Sequence, residues 1–279
     1  MITSRRNPLV RRLRSASTRA GREEAGQLLL EGTHLLEELL KASVLPGQVI
    51  ATGIWIDRHP ELVAQLSGPV QWLHVSEEVL RAALTTVTPD GVACLCPLDV
   101  LPSPPDHCNF RIVLDRIQDP GNMGSLLRTA LAADVQCAWL GSGVDPLGSK
   151  TLRSSAGAVL RLPHQRFGPS ESEAIDQLEQ ALLGLVMEGV QVVATMAPDA
   201  SGPLHPFPYW ELDWNHPTAL VLGNEGAGLH PRLQACCTHA ITVPHSERVE
   251  SLNVAAAAVP LLLERRRATM SATTTQQSG

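Results

Sequence analysis

The sequence predicts an α/β protein of two domains, with a mostly parallel sheet in the C-terminal domain. Short apolar runs alternate with helix-like stretches along the chain, as expected for strands separated by covering helices. Four prolines fall between residues 97 and 105, where neither a helix nor a central strand can continue. The alternation resumes more strongly after these prolines, which indicates a second and larger α/β layer.

The N-terminal part contains four candidate strands, over residues 27–30, 48–54, 70–74 and 91–96. Helix-like stretches cover residues 32–41, 60–66 and 76–84. These elements predict a small α/β domain over residues 1–97, which is followed by a linker over residues 98–109.

The C-terminal part contains the apolar runs RIVLDRI, QCAWLG, VQVVATM, TALVLG and AITV, with helical stretches between them. They predict a domain over residues 110–267. The final residues, 268–279, are polar and poor in apolar side chains, so we expect a disordered tail.

The composition is that of a globular protein without a membrane-spanning segment. Of 279 residues 44% are hydrophobic, and no stretch approaches the roughly 20 consecutive apolar residues of a membrane helix. The first residues, MITSRRNPLVRRLRS, lack the apolar stretch of a secretory signal. We therefore expect a cytoplasmic protein.

The cysteines and histidines do not indicate a metal site or a disulfide framework. The six cysteines form no C-x-x-C pair, and the ten histidines form no H-x-x-x-H pair. We expect reduced, buried thiols and no catalytic metal.

The charge is unevenly distributed along a chain whose net charge is −6. Seven arginines precede the first acidic residue, Glu23: Arg5, Arg6, Arg11, Arg12, Arg14, Arg19 and Arg22. Such a segment can lie along RNA phosphates, with an affinity that falls as salt rises. A solvated helix face is the alternative.

A first candidate segment runs from Asp119 to Arg128, directly after the apolar run RIVLDRI. Ligands gather at the carboxyl ends of strands in open α/β sheets. The side-chain amide of Asn122 lies in the turn, and Arg128 can bind a phosphate through two parallel hydrogen bonds. Taken alone, the segment is equally compatible with an Asn-containing turn and a surface arginine.

A second segment, Thr218 to Leu229, is a buried strand that ends in a glycine-rich turn with one carboxylate, Glu225. Gly223 and its neighbouring glycines allow a close approach of the main chain to a bound cofactor. Their spacing is not the G-x-G-x-x-G of a dinucleotide site, which argues against a nicotinamide-dependent dehydrogenase.

A third segment, Ile241 to Ala258, places Ser251 where a helix N-cap is expected, with Asn253 in the first turn. Free N–H groups at a helix start favour polar or anionic ligands. By itself, Ser251 is more typical of a plain cap than of a functional residue.

Together and in this order, NMGSLLRTA, VLGNEGAGL and VPHSERVESLNVAAAA resemble the signature segments of the SpoU/TrmH family of RNA 2′-O-methyltransferases. The resemblance spans residues 110–267. The N-terminal part, with Glu31-Gly32 and Thr88-Pro-Asp-Gly91, is similar to the substrate-binding domain of members that modify ribosomal RNA.

The resemblance implies transfer of a methyl group from S-adenosylmethionine to a ribose 2′-hydroxyl, a deep trefoil knot and a homodimer with a shared active site. It places Asn122, Arg128, Glu225, Ser251 and Asn253 at the catalytic centre. It also places six residues around the cofactor: Gly223, Val243, Leu252, Thr195, Leu222 and Pro244.

The chain departs from the usual family pattern at His245 and Glu247, where methionine and glycine are common, and Pro260 interrupts the last predicted helix. Because a guanidinium stays protonated, Arg128 is expected to orient the hydroxyl and its phosphate rather than to act as a base. Methylation of transfer RNA, and a non-catalytic RNA-binding or ribosome-assembly factor of the same fold, are the alternatives.

Overall fold

The protein divides into two compact units. The computed structural model describes residues 1–200 and 203–277, with side chains described as far as residue 271. One unit comprises Met1–Pro102 and Asp145–Arg161, and the other Ser103–Val144 and Leu162–Gly279. The boundary after Pro102 lies inside the stretch predicted as a linker.

The first unit is built on a four-stranded mixed sheet with the order β1-β4-β2-β3. Strands β1 and β2 each pair antiparallel with β4, while β2 and β3 are parallel. The elements of residues 1–97 are α1 (Pro8–Ala16), α2 (Arg19–Ala25), β1 (Gln27–Glu31), α3 (Thr33–Lys41), β2 (Gln48–Ala51), α4 (Gly53–Arg58), α5 (Pro60–Gln65), β3 (Gln71–His74), α6 (Glu77–Ala83) and β4 (Val92–Pro97).

Helix α1 forms because Asn7 caps its first turn and its apolar residues recur on one face. The Asn7 side chain accepts a hydrogen bond from the Leu9 N–H at 2.9 Å. Leu9 and Leu13 are buried with Leu29 of β1 and Leu80 of α6, in one core cluster. Because strand residues alternate in direction, α1 and α6 cover one face of this sheet.

The second half of the chain adds seven strands. Its elements are β5 (Phe110–Leu114), α7 (Pro120–Ala132), β6 (Cys137–Leu140), α8 (Ser149–Ser154), β7 (His164–Arg166), α9 (Glu171–Met187), β8 (Gln191–Thr195), β9 (Phe207–Pro208), β10 (Thr218–Leu222), α10 (Pro231–Ala235), β11 (His239–Thr242) and α11 (Val254–Gln277).

The sequence predicts that segment Asp145–Arg161, which contains α8, belongs to the domain over residues 110–267. In the structure this segment packs with the first unit instead. An ion pair between the buried Arg22 of α2 and the partly buried Asp145 connects this segment to the first unit. Arg22 also donates to the Leu147 carbonyl at 3.3 Å. Burying these charges is favourable only while they remain paired.

The sheet of the second unit has the order β7-β6-β5-β10-β8-β11-β9, and every strand pair in it is parallel. Parallel sheets are covered on both faces. On one face α9 and α10 contribute Leu178, Leu182 and Leu233 to a common apolar cluster. Helices α7 and α11 pack against each other. The predicted α/β fold with a mostly parallel sheet is confirmed.

Helix α11 continues through Pro260 and reaches Gln277, although the sequence analysis expects a disordered tail from residue 268. Its last described turns are held by side-chain bonds. Arg267 pairs with Glu264 one turn earlier at 2.7 Å, and the Ser271 hydroxyl donates to the Arg267 carbonyl at 3.1 Å. Residues 278 and 279 of the predicted tail lie outside the described residues.

No helix within the described ranges 1–200 and 203–277 is long and apolar enough to span a membrane. All six cysteines fall in these ranges, and each is a buried free thiol.

Candidate active site

The loops after β5 and β10 meet at the point where the connections of the sheet diverge. Strand β5 leads through α7 to β6 on one side, and β10 leads through α10 to β11 on the other. Because β5 and β10 are parallel neighbours, their carboxyl ends lie side by side. Such a switch point is where open α/β sheets bind their ligands.

Glu225, on the loop after β10, holds the loop after β5. Its Oε1 accepts hydrogen bonds from the Asn122 side chain at 3.1 Å and from the Asp119 N–H at 3.2 Å. Its Oε2 accepts from the Gln118 N–H at 3.3 Å. Asp119 also caps α7, since its Oδ1 accepts from the Asn122 N–H at 2.8 Å. These hydrogen bonds therefore join the first sequence segment, which contains Asn122, to the second, which contains Glu225.

These bonds favour the ionised form of Glu225. The small burial of the side chain opposes ionisation, but the hydrogen bonds from Asn122 and from the N–H groups of Asp119 and Gln118 outweigh it. The pKa of Glu225 consequently lies below its ordinary value. At neutral pH the residue is an ionised anchor with its oxygens already engaged.

Asn253 brings the third segment to the same place. Its Nδ2 donates to Asn122 Oδ1 at 2.9 Å. Its own Oδ1 accepts from the N–H groups of Ala255 and Ala256 at 3.0 and 3.1 Å, so Asn253 is the N-cap of α11. The expectation that Ser251 caps this helix is wrong, because the helix begins at Val254.

The glycine-rich loop is shaped by the protein's own backbone. A Cβ on Gly223 would lie 2.2 Å from the Leu229 nitrogen, so only glycine fits there. Gly228 has a φ of +68°, a region that glycine adopts without strain. Asn224 closes the loop by accepting from the N–H groups of Gly226 and Ala227 at 3.0 and 2.8 Å.

A cavity of about 340 Å³ opens beside this loop, within the size range of small-molecule sites. Five of the six predicted cofactor residues line it, together with two of the predicted catalytic residues: Thr195, Leu222, Gly223, Val243, Leu252, Glu225 and Ser251. Pro244 is exposed and does not line the cavity, although both its neighbours do. Asn122 and Asn253 do not line the cavity and are connected to it through the hydrogen bond from Asn122 to Glu225.

Two hydroxyls at the end of the sheet have no hydrogen-bond partner among the described residues. Thr195 ends β8 and Thr242 ends β11, and the Oγ1 atoms of both are buried and make no hydrogen bond. Both residues line the cavity. Because a buried, unpaired hydroxyl is costly, these atoms fit a polar ligand that supplies the missing bonds.

The cavity also contains residues that the sequence analysis did not assign to it, among them Asp199, Asn224, Glu250 and His245. In the sequence, His245 is distinguished only as a departure from the family pattern. Its Nδ1 lies 2.8 Å from the Val243 carbonyl, which can only accept, so Nδ1 carries the proton. Asp199 and Glu250 lie in irregular loops, where no periodicity could have indicated them.

Arg128 is not among the residues that line this cavity. It is an exposed residue of α7 and has no hydrogen-bond or ion-pair partner among the described residues. In a single chain, the structure therefore groups Asn122, Glu225, Ser251 and Asn253 without Arg128.

The N-terminal arginines divide into two kinds. Arg6 and Arg11 are exposed, and Arg5, Arg12, Arg14 and Arg19 make surface contacts with Glu78, Gln27, the Ala82 carbonyl and Glu23. Arg22 differs, because its side chain is only 3% exposed and is paired with Asp145. The prediction that Arg22 contacts RNA is wrong, since burial removes it from the surface.

Two family models match the chain. The SpoU rRNA methylase family covers residues 109–262, and the MRM3-like substrate-binding domain covers residues 7–94. Over residues 1–200 and 203–277, no cluster of three or more histidine, cysteine or acidic side chains is arranged to hold a metal.

Curated relatives extend over the whole chain. An uncharacterized tRNA/rRNA methyltransferase of Synechocystis is 41% identical over 98% of this chain and 96% of its own length. The 23S rRNA (guanosine(2553)-2′-O)-methyltransferase of Bacillus subtilis is 33% identical over 95% of this chain and 98% of its own.

Solved structures agree with these matches. An RNA 2′-O ribose methyltransferase superposes with a TM-score of 0.75 at 27% identity, covering 96% of this chain and 99% of that one. An AdoMet-bound rRNA methyltransferase from Sinorhizobium meliloti gives a TM-score of 0.76 at 26% identity, covering 95% and 97% of the two chains. The resemblance that the three segments carried is confirmed: the chain belongs to the SpoU rRNA methylase family.

Proposed function

We propose that this protein methylates a ribose 2′-hydroxyl of ribosomal RNA with S-adenosylmethionine as the methyl donor. One observation carries the proposal. The three signature segments converge through the Asn253–Asn122–Glu225 hydrogen bonds, beside a cavity at the switch point of the sheet. The Bacillus subtilis relative is named for the same reaction on 23S rRNA.

The cavity fits the cofactor by its chemistry. S-adenosylmethionine presents hydroxyls, amino groups and a carboxylate, which can satisfy the unpaired Thr195 and Thr242 hydroxyls. Gly223, Leu222, Val243 and Leu252 supply the close backbone and apolar surface around it. When bound, the cofactor supplies an activated methyl group, so the protein supplies position, electrostatics and the removal of one proton from the 2′-hydroxyl.

The polar residues have separate tasks in this proposal. Glu225 and Asn122 fix the two loops that border the reaction site, and Asn253 fixes the start of α11 against them. Ser251 lines the cavity and is exposed, so its hydroxyl is available to the substrate ribose. Arg128 binds the phosphate next to the target ribose and favours the oxygen as negative charge develops on it.

The activity is tested by incubating the purified chain with labelled S-adenosylmethionine and ribosomal RNA from cells that lack the protein. Mass spectrometry of the digested RNA should show one new 2′-O-methylated nucleotide. The same reaction with transfer RNA tests the alternative substrate. If only transfer RNA gains the ribose methyl group, the substrate assignment is wrong and the reaction type stands.

A non-catalytic RNA-binding or assembly factor of the same fold makes a different prediction. Isothermal titration of the purified chain with S-adenosylmethionine should show binding with one cofactor per cavity. Absence of binding at millimolar cofactor would favour the non-catalytic protein.

We include a homodimer with a composite site in the proposal. Val259, Leu263 and Met270 are exposed apolar residues on α11, which packs against the helix that carries Arg128. A second copy on this surface would bury them and would bring Arg128 to the partner's cavity. Light scattering that gives a mass close to twice 30.0 kDa would support this, and a monomer of 30.0 kDa would contradict it.

The knotted topology and the cytoplasmic location belong to the same proposal. Glu250, Ser251, Leu252, Val254 and Ala257 line the same cavity as the loop after β10, as expected if the C-terminal segment threads a loop to complete the pocket. An electron-density map that traces this segment outside the loop would contradict the knot.

A cytoplasmic location is also proposed, because reduced, buried cysteines and a ribosomal RNA substrate both suit the cytoplasm.

A further inference from the structure

A second cavity, of about 270 Å³, lies within the first unit. It brings together the two N-terminal motifs, Glu31-Gly32 and Thr88-Pro-Asp-Gly91, because residues of both line it. Its walls come from the turn after β1, the loop before β4 and helix α8: Glu31, Gly32, His34, Leu35, Leu84, Thr86, Thr88, Pro89, Asp90, Val92 and Arg153. Methyl transfer uses none of these residues.

Glu31 forms the buried floor of this cavity and is already satisfied. Its two oxygens accept four hydrogen bonds, from the N–H and hydroxyl groups of Thr85 and Thr86, at 2.6 to 3.1 Å. A carboxylate that is engaged in this way holds the loop in place and is not available to a ligand.

Arg153 supplies positive charge at the cavity wall. Its Nη1 donates to the Thr86 hydroxyl at 3.1 Å and lies 3.7 Å from Glu31, which fixes the direction of the guanidinium. The side chain is still 39% exposed, so a phosphate can reach it. Guanidinium groups match phosphate oxygens through paired hydrogen bonds.

Asp90 supplies an acceptor on the same cavity. One of its oxygens accepts from the Thr33 N–H at 2.7 Å, which fixes the carboxylate at the start of α3. The residue is otherwise exposed and can accept further hydrogen bonds. Guanine is the RNA base with two adjacent N–H donors on its Watson–Crick edge, so it matches a carboxylate best.

Building on the proposed function, we propose that this cavity binds one unpaired guanine nucleotide of the RNA substrate. Leu35, Leu84 and Pro89 provide apolar surface for the base, Asp90 accepts from its N–H groups, and Arg153 binds the phosphate. Sequence-specific RNA recognition acts mainly on bases that are splayed out of helices, which a cavity of this size can admit.

This site is separate from the exposed arginines of α1. Residues of α1 belong to the core cluster that contains Leu29 of β1. Helix α3 also contacts β1 and β4, but none of its residues belongs to that cluster. We therefore place the exposed arginines of α1 on the sheet face opposite α3. Phosphate contacts position an RNA and base contacts select it, so the two surfaces should differ in salt dependence.

Fluorescence anisotropy of the full chain with labelled nonauridylates tests the proposal, with guanosine or adenosine at the central position. The guanosine oligomer should bind about tenfold more tightly. Thr88→Trp, which fills the cavity from an exposed loop residue, should abolish this preference. Val87→Trp is the matched control, because Val87 is 90% exposed and does not line the cavity.

Arg153→Gln should weaken binding of both oligomers, while Lys150→Gln on the same helix, outside the cavity, should not. Equal affinity for the two oligomers, or a guanosine preference that survives Thr88→Trp, would overturn the proposal. The proposal would also be overturned if guanosine monophosphate bound as tightly as the guanosine oligomer, because the ligand would then be a free nucleotide. Methyl transfer by the wild-type chain is measured separately, so a loss of base preference with intact transfer refutes this site alone.

Discussion

The side chain of Asn253 donates a hydrogen bond to the side-chain oxygen of Asn122 at 2.9 Å, although 131 residues separate the two. Asn122 donates in turn to Glu225 at 3.1 Å. One polar connection therefore joins the loops after β5 and β10 to the start of α11. The order of the two amide groups is fixed, because the carboxylate at the end can only accept.

Asn253 has two roles that substitution can separate. Asn253→Asp keeps an acceptor for the N–H groups of Ala255 and Ala256 but loses the donor to Asn122. We expect near wild-type stability and strongly reduced methyl transfer. Asn253→Ala should in addition lose about 1 kcal/mol of unfolding free energy, because the cap is removed. Urea unfolding and initial rates measure the two effects, and full activity of the aspartate variant would contradict the connection.

Glu225 should make stability depend on pH in the acid range. Its folded pKa lies below the ordinary value of 4.5, so its stabilising effect is complete above that value. The effect is lost as the pH falls below 4.5 and passes through the lower folded pKa. Glu225→Gln should lose stability at pH 7 and show a flatter decline towards pH 3.

Urea unfolding at several pH values measures this difference, with the exposed Glu247→Gln as the control. Parallel pH profiles for wild-type protein and Glu225→Gln would show that the Glu225 carboxylate is not stabilised by its loop contacts.

Arg128→Ala should abolish methyl transfer with little change in stability or cofactor affinity. The side chain is exposed, lies outside the cavity and has no partner among the described residues, so its removal leaves no buried group unpaired. Arg161→Ala, another exposed arginine, is the control. Turnover by a folded Arg128→Ala protein at the wild-type rate would remove Arg128 from the active site.

Arg22 and Arg11 should respond in opposite ways to alanine substitution. Arg22→Ala leaves Asp145 without its partner and should cost about 3 kcal/mol of unfolding free energy. Arg11→Ala should change stability by less than about 0.5 kcal/mol, because the side chain is exposed, while lowering RNA affinity and its salt dependence. Thermal unfolding and RNA titrations at two salt concentrations distinguish the two. Equal stability loss in both variants would contradict the burial of Arg22.

The strand and helix pattern was predictable because apolar periodicity is local. The three segments that the Asn253–Asn122–Glu225 hydrogen bonds join could also be found in the sequence. The membership of Asp145–Arg161 in the first unit was not predictable, since it depends on an ion pair between residues 123 positions apart. Ser251 and Asn253 are both good caps by residue type, and only the start of the helix at Val254 shows that Asn253 is the cap. The position of Arg128 relative to a cavity likewise depends on packing that no sequence pattern records.

Thr242→Val should weaken cofactor binding without destabilising the protein. The Thr242 hydroxyl is buried and unpaired, so replacing it with a methyl group removes a desolvation cost in the free protein. In the complex the same change removes a hydrogen bond, which should weaken S-adenosylmethionine binding by about tenfold.

Thr218→Val is the matched control, because this buried hydroxyl is bonded to the His216 carbonyl at 2.8 Å and to Gln191. It should destabilise the fold and leave cofactor affinity unchanged. Calorimetric titration should show weaker cofactor binding only in Thr242→Val, and thermal unfolding should show lost stability only in Thr218→Val. Unchanged cofactor affinity in Thr242→Val would mean that this hydroxyl does not contact the ligand, and the cavity would then have to bind it through the opposite wall.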